Sequence, residues 1–195
     1  MQLKYHSVSK NIFYDVMKDD LAQKYLGALR KHHEETYRHS CRVALLSIDV
    51  GLESTVVGQR LKYLALGALL HDIGKLQTPT AILEKEGALG ECERSVMNNH
   101  PQEGFKILQD LPCAVRYIVV SHHEWKKDSY PRKVHRMPLG KNDSLAEIVV
   151  AADIFDALAY RRSYKPPFPK EEVERILCEQ FTGDKTLIPL ILGRY

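Results

Sequence analysis

One stretch, Leu145 to Tyr160, limits the fold more than any other. Ile148, Val149, Val150, Ala151, Ala152, Ile154, Phe155, Ala157 and Leu158 leave it apolar on almost every side. As a helix it must lie inside other structure rather than on a surface. Two aspartates interrupt its apolar run, Asp153 and Asp156, three residues apart and so on one face. A buried carboxylate is costly unless it meets a cation, hydrogen-bond donors or a metal. Whatever packs around this helix has to answer those charges.

The rest of the chain shows helical apolar spacing, with no strand alternation and no Asn-Gly or Asp-Gly hairpin signal. The spacing predicts helices over Ile12 to Leu29, Glu34 to Val50 and Ser54 to Leu70. The segment Leu76 to Gly90, with Pro79, Gly87 and Gly90, reads mainly as loop. Short helices are expected near Glu91 to Asn98, Gln102 to Asp110 and Cys113 to Ser121, with Pro101 suited to a first turn. Glu124 to Asp143 is the longest irregular segment, and long loops inside compact domains are often functional. Helices over Glu171 to Phe181 and Asp184 to Leu192 complete an all-α reading: one helical bundle.

The length of 195 residues fits one domain, or one domain with a short appendage. The formal charge of +3 is too small to argue for a nucleic-acid polymer or a membrane surface. Cys41, Cys92, Cys113 and Cys178 are scattered, with no metal or disulfide spacing, and read as reduced, buried thiols. No signal-like segment opens the chain and no stretch is long enough to span a bilayer. A cytoplasmic protein is the expectation.

Most of the histidines fall in an ordered set with carboxylates: Glu35 and His39, His71-Asp72, His100, His122-His123 and Asp153. Imidazole and carboxylate together suit first-row transition metals, and the set exceeds what one ion needs. Glu35 and His39 share a helix face, as two side chains gripping one ion would. His71-Asp72 and His122-His123 close apolar helices, where adjacent side chains can splay around a centre. Each has an ordinary alternative: a capping or arginine-paired Asp, a core histidine, a solvated face. His32 and His33 read as surface residues. Taken together, the ordinary alternatives need several unrelated explanations for buried ionisable groups, and a metal-dependent hydrolase needs one.

In order along the chain stand Glu35-x-x-x-His39, His71-Asp72-Ile73-Gly74-Lys75, His100-Pro101-x-x-Gly104, His122-His123-Glu124 and Ala152-Asp153-Ile154-Phe155-Asp156-Ala157-Leu158, then Arg162-Ser163-Tyr164-Lys165. This series resembles the HD-domain superfamily of metal-dependent phosphohydrolases, and most closely its HD-GYP branch, which hydrolyses cyclic diguanylate. The resemblance runs from about Glu34 to the C-terminus. It implies an HD domain over 34–195 behind a short N-terminal helical appendage over 1–33, with no room for a sensory domain. It also implies two or three divalent ions, iron or manganese, held by Glu35, His39, His71, Asp72, His100, His122, His123 and Asp153. Asp72 would bridge two ions and Glu35 accompany a third. Lys75, Asp156, Arg162 and Lys165 match positions lining the substrate side, and Tyr130 matches the tyrosine of the family loop. That loop reads His-His-Glu-x-x-Asp-Gly-x-Gly-Tyr-Pro in the family; here it is His122-His123-Glu124-Trp125-Lys126-Lys127-Asp128-Ser129-Tyr130-Pro131, with both glycines absent, so it must follow another path.

The expected activity is hydrolysis of a cyclic dinucleotide or other nucleotide phosphoester by a metal-bridging hydroxide over Asp72, with Lys75 stabilising developing charge. The rivals are a catalytically silent module that binds a nucleotide or a partner protein, a di-iron oxygenase, and a nucleotidase acting on mononucleotides. A homodimer or a separate regulatory partner is compatible with any of them.

Overall fold

A computed structural model describes residues 6–127, 143–160 and 168–194. The helices are α1 (His6–Met17), α2 (Asp20–His32), α3 (Glu34–Glu53), α4 (Gly58–Leu70), α5 (Thr80–Leu83), α6 (Glu91–Met97), α7 (His100–Ile107), α8 (Cys113–Ser121), α9 (Asp143–Ala159), α10 (Lys170–Gln180) and α11 (Leu187–Leu192). A 3-10 turn covers Ile73–Gln77. Among the described residues there is no strand, only an isolated antiparallel bridge between Lys126 and Phe181. The all-α bundle expected from the spacing is the fold observed. No helix among the described residues is long and apolar enough to cross a membrane.

The central helix is α9, packed by α3, α4, α8, α10 and α11. Leu145, Val149, Val150, Ala151 and Ala152 are wholly buried there, which accounts for a helix apolar on every side. Leu64, Leu69 and Leu70 of α4 meet Ile118 and Val119 of α8 in the same core. A Cβ at Gly67 would lie 2.7 to 2.9 Å from atoms of Ile118, so only glycine lets α4 and α8 come this close.

The structure corrects two expectations, the first helix and the burial of the cysteines. The helix expected over Ile12 to Leu29 is two, because the side chain of Asp19 accepts from the Ala22 amide at 3.0 Å and starts α2 afresh. Within the N-terminal stretch, Ala22, Tyr25, Leu26 and Leu29 of α2 belong to the common core, and the Tyr25 hydroxyl donates to the Ile107 carbonyl at 3.2 Å. The four cysteines are free, but Cys41 is half-buried and the other three are exposed.

Two glycines bring the pieces of the site together. A Cβ at Gly74 would fall 1.8 Å from the His100 carbonyl oxygen and 2.5 Å from the Gly104 nitrogen. One at Gly104 would fall 2.7 Å from Val119. The turn after Asp72 therefore lies backbone against backbone on α7, and α7 lies directly on α8.

Candidate metal centre

Helix ends deliver the imidazoles. His71 follows the last turn of α4, His100 opens α7, and His122 and His123 follow α8. His39 comes from the second turn of α3 and Asp153 from α9. His39, His71, Asp72, His100, His122 and Asp153 are all buried. The ligand atoms converge in three overlapping groups that could each hold an ion: His39, His71 and Asp153; His71, Asp72 and His122; and His100, His122 and His123.

The tautomers follow from the partners. Nδ1 of His71 meets the Ala68 carbonyl at 2.7 Å, Nδ1 of His100 meets that of Met97 at 2.7 Å, and Nδ1 of His122 meets that of Val119 at 2.6 Å. A carbonyl can only accept, so each Nδ1 carries the proton and, in the neutral ring, each Nε2 presents a lone pair. Those lone pairs point at Asp72. His71 Nε2 is 3.5 Å from Oδ2, while His100 Nε2 and His122 Nε2 are 3.3 and 3.9 Å from Oδ1. His100 Nε2 and His122 Nε2 face one another at 3.0 Å, two acceptors with no proton to share. His71 Nε2 is buried without a hydrogen-bond partner. Such an arrangement is unfavourable in itself and is relieved by a cation. Outer carbonyls that fix ring and tautomer are the usual support of metal-binding histidines. The donor set fits a transition metal.

Electrostatics agree. Burial lowers His71, and burial pushes His100 down to about 4, against the pull of Asp72. His122 and His123 are also held well below the usual range, chiefly by burial, with the His71 and His100 rings adding to it at His122 and Lys126 at His123. These rings are neutral, the form that binds metal. Burial would raise Asp72 and Asp153, but Lys75 and Lys126, with the imidazoles, outweigh it and hold both carboxyls well below the usual range. His39 differs. Burial would lower it, but hydrogen bonds to Asp153 and Asp156 raise it to about 9.

Lys75 donates to Asp72 Oδ2 at 2.6 Å, beside the buried acid as expected. Its ammonium also borders a cleft of about 480 Å³ lined by His33, Glu35, His39, Leu83 and Met97 among others. Glu35 is not brought into the ligand cluster. Its carboxylate is on the cleft wall, 37% exposed, and is drawn to Arg42 Nη2 at 3.3 Å. Asp156, expected on the substrate side, instead stands behind His39. It is 1% exposed, with Oδ2 on His39 Nδ1 at 2.6 Å and both oxygens held by Arg42 at 2.8 and 3.0 Å. His32 and His33 are half-buried rather than surface residues: His32 Nε2 meets the Thr78 carbonyl and His33 caps α3. Tyr130, Arg162 and Lys165 lie outside the described residues.

Two residues that sequence reasoning passed over belong here. Arg42 stands seven after Glu35 and three after His39, on the same helix face, which is a signal the sequence did contain. Lys126 donates to Asp153 Oδ2 at 2.6 Å; its sequence signal is only a charge three residues past His123.

A family model described as "HD domain" matches residues 36–158. A cyclic di-GMP phosphodiesterase of Thermotoga maritima is 37% identical over 148 residues, covering 72% of this chain and 39% of that protein. A 3'3'-cGAMP-specific phosphodiesterase 2 of Vibrio cholerae is 30% identical over 168 residues, covering 83% of this chain and 31% of that one. The chain thus spans well under half the length of these curated relatives. The HD domain of the L. monocytogenes phosphodiesterase PgpH superposes with a TM-score of 0.65 at 18% identity, over 87% of this chain and 93% of that one, a likeness of fold.

Proposed function

The chain belongs to the HD-domain family, and from that membership we propose that it is a metal-dependent phosphodiesterase acting on a cyclic dinucleotide. The observation that carries the reading is the ring of inward Nε2 lone pairs, from His71, His100 and His122, around the buried Asp72 carboxylate. A silent binding module has no use for opposed lone pairs in its core, which cost stability and gain nothing without a cation.

In this reading His39, His71 and Asp153 would hold one ion and His100, His122 and His123 another, with Asp72 between them. Imidazole and carboxylate donors suit iron or manganese. Ions bound there supply Lewis acidity at the phosphoryl oxygens and lower the pKa of water. The chain's own groups do the rest. The carbonyl-fixed histidines need no reorganisation. The ammonium of Lys75, tethered at Asp72, stabilises negative charge that grows as phosphorus is attacked. Hydrolysis forms a bond from water oxygen to phosphorus and breaks one ester P–O bond, the protons of water passing to the leaving hydroxyl and to solvent. The cleft beside Lys75 takes the remainder of the nucleotide.

Metal analysis of anaerobically purified protein, paired with hydrolysis of cyclic di-GMP, 3'3'-cGAMP and a chromogenic diester, tests the proposal. Two or more ions with turnover of a cyclic dinucleotide are expected, lost in Asp72→Ala. Protein that stays inactive on all three after iron or manganese is restored overturns it.

A further inference from the structure

We propose that Lys126 is a phosphate-binding residue of this centre, a second cation acting together with Lys75; the inference rests on the phosphodiesterase reading. Each of the two buried carboxylates is divided in the same way. Asp153 turns Oδ1 to His39 Nε2 at 3.1 Å and gives Oδ2 to Lys126 at 2.6 Å. Asp72 turns Oδ1 to His100 and gives Oδ2 to Lys75 at 2.6 Å. The two lysines are alike in burial, 22% and 21% exposed, where the adjacent Lys127 is 58% exposed and paired with Glu179. A lysine drawn that far out of water serves a defined partner.

Its position is built rather than incidental. The segment after His123 is fastened to the far end of α10. Lys126 bridges Phe181, the Lys127 amide donates to the Gln180 carbonyl at 2.7 Å, and the Thr182 amide donates to the Trp125 carbonyl at 3.0 Å. Phe181 is wholly buried, so this clamp is anchored in the core. The clamp fixes the Lys126 backbone, and the flexible stem carries the ammonium to the edge of the cluster.

A cation shared among His39, His71 and Asp153 takes up much of the negative charge on Asp153. The claim of the ammonium on Oδ2 then weakens, and its three donors become available to a non-bridging phosphate oxygen. Lys75 is held at Asp72 and Lys126 at Asp153, so a phosphodiester in the centre meets two ammonium groups, one at each buried carboxylate.

The test is titration of the metal-loaded full chain with inorganic phosphate, followed by the fluorescence of Trp125, the sole tryptophan and the neighbour of Lys126. Lys126→Met should keep its metal content and bind phosphate about tenfold or more weakly, with KM for a chromogenic diester rising more than kcat falls. Lys126→Arg should recover most of the affinity, and Lys127→Met should match the wild type. Phosphate binding unchanged in Lys126→Met overturns the proposal. So does loss of metal in step with loss of phosphate, which would make the lysine only a brace for Asp153. A wild type that binds phosphate yet cleaves no diester removes the phosphodiesterase reading, while the affinities of the variants still decide the role of Lys126.

Discussion

Asp156 Oδ2 accepts a hydrogen bond from His39 Nδ1 at 2.6 Å, and Arg42 grips the same carboxylate through two further bonds. His39 is thereby backed by a carboxylate, where His71, His100 and His122 are backed by carbonyls. Carboxylate backing fixes the ring and makes its inner nitrogen more basic. Asp156→Asn should therefore weaken the ion held with His39, His71 and Asp153 by about 10–100-fold. The ion at His100, His122 and His123 should be retained. Metal content across a chelator series reads this directly, and a curve unchanged from wild type would deny Asp156 the role.

Gly74 has no room for a side chain, since the atoms it would strike are backbone atoms of His100 and Gly104. Gly74→Ala must push the turn away from α7 and carry Asp72 from His100. A cost of about 1–3 kcal/mol is expected, with a loss of bound metal at equal protein concentration. Thermal unfolding and metal analysis of the same sample check both parts.

Chelation should lower the melting temperature without unfolding the bundle. The aliphatic core of α3, α4, α8 and α9 is complete without any ligand. Ion at a hundredfold excess over Kd adds about 2.7 kcal/mol, or about 5–10 °C for a chain of this size. Helical circular dichroism should be unchanged by the chelator at 25 °C. Its loss would make the ions structural staples.

The chelated protein should be most stable near pH 6.5. Between 6.5 and the value of about 9 held by His39, the fold keeps a proton that the unfolded chain releases. Stability therefore falls as pH rises through that window. Below 6.5 the unfolded chain takes up protons that His100, held at about 4, refuses, as do His71, His122 and His123, which are also lowered. Stability falls there as pH drops. Melting temperatures from about pH 5 to 9 in chelator give the curve; a monotonic rise toward pH 9 would contradict the charge assigned to His39.

Much of this was readable because the ligands break the pattern of apolar helices. Asp153 inside α9, and His71-Asp72 and His122-His123 at the ends of α4 and α8, stand out against their neighbours, and the limits of α8 match the spacing residue for residue. The break before Asp20 did not stand out, since the apolar period of Met17, Leu21 and Tyr25 runs on through it; the Asp19 side chain makes the stop. Arg42 was hidden for a different reason. An arginine on a half-polar face looks solvated until a carboxylate 114 residues away folds onto it. The same arginine explains why Glu35, sharing a face with His39, is held on the cleft wall. Lys126 is aimed by a clamp to Phe181, and no local signal encodes a contact between segments so far apart.

The ligands reach from α3 to α9, and the bond between His39 and Asp156 closes a loop of 117 residues. No fragment of the chain short of α9 can assemble the whole cluster. An ion that binds only the finished arrangement selects for it by mass action, and long closures are the slow events of folding. Metal uptake during refolding would then act as a clock for the last step, silent while the outer helices collapse and reporting only when α9 has docked.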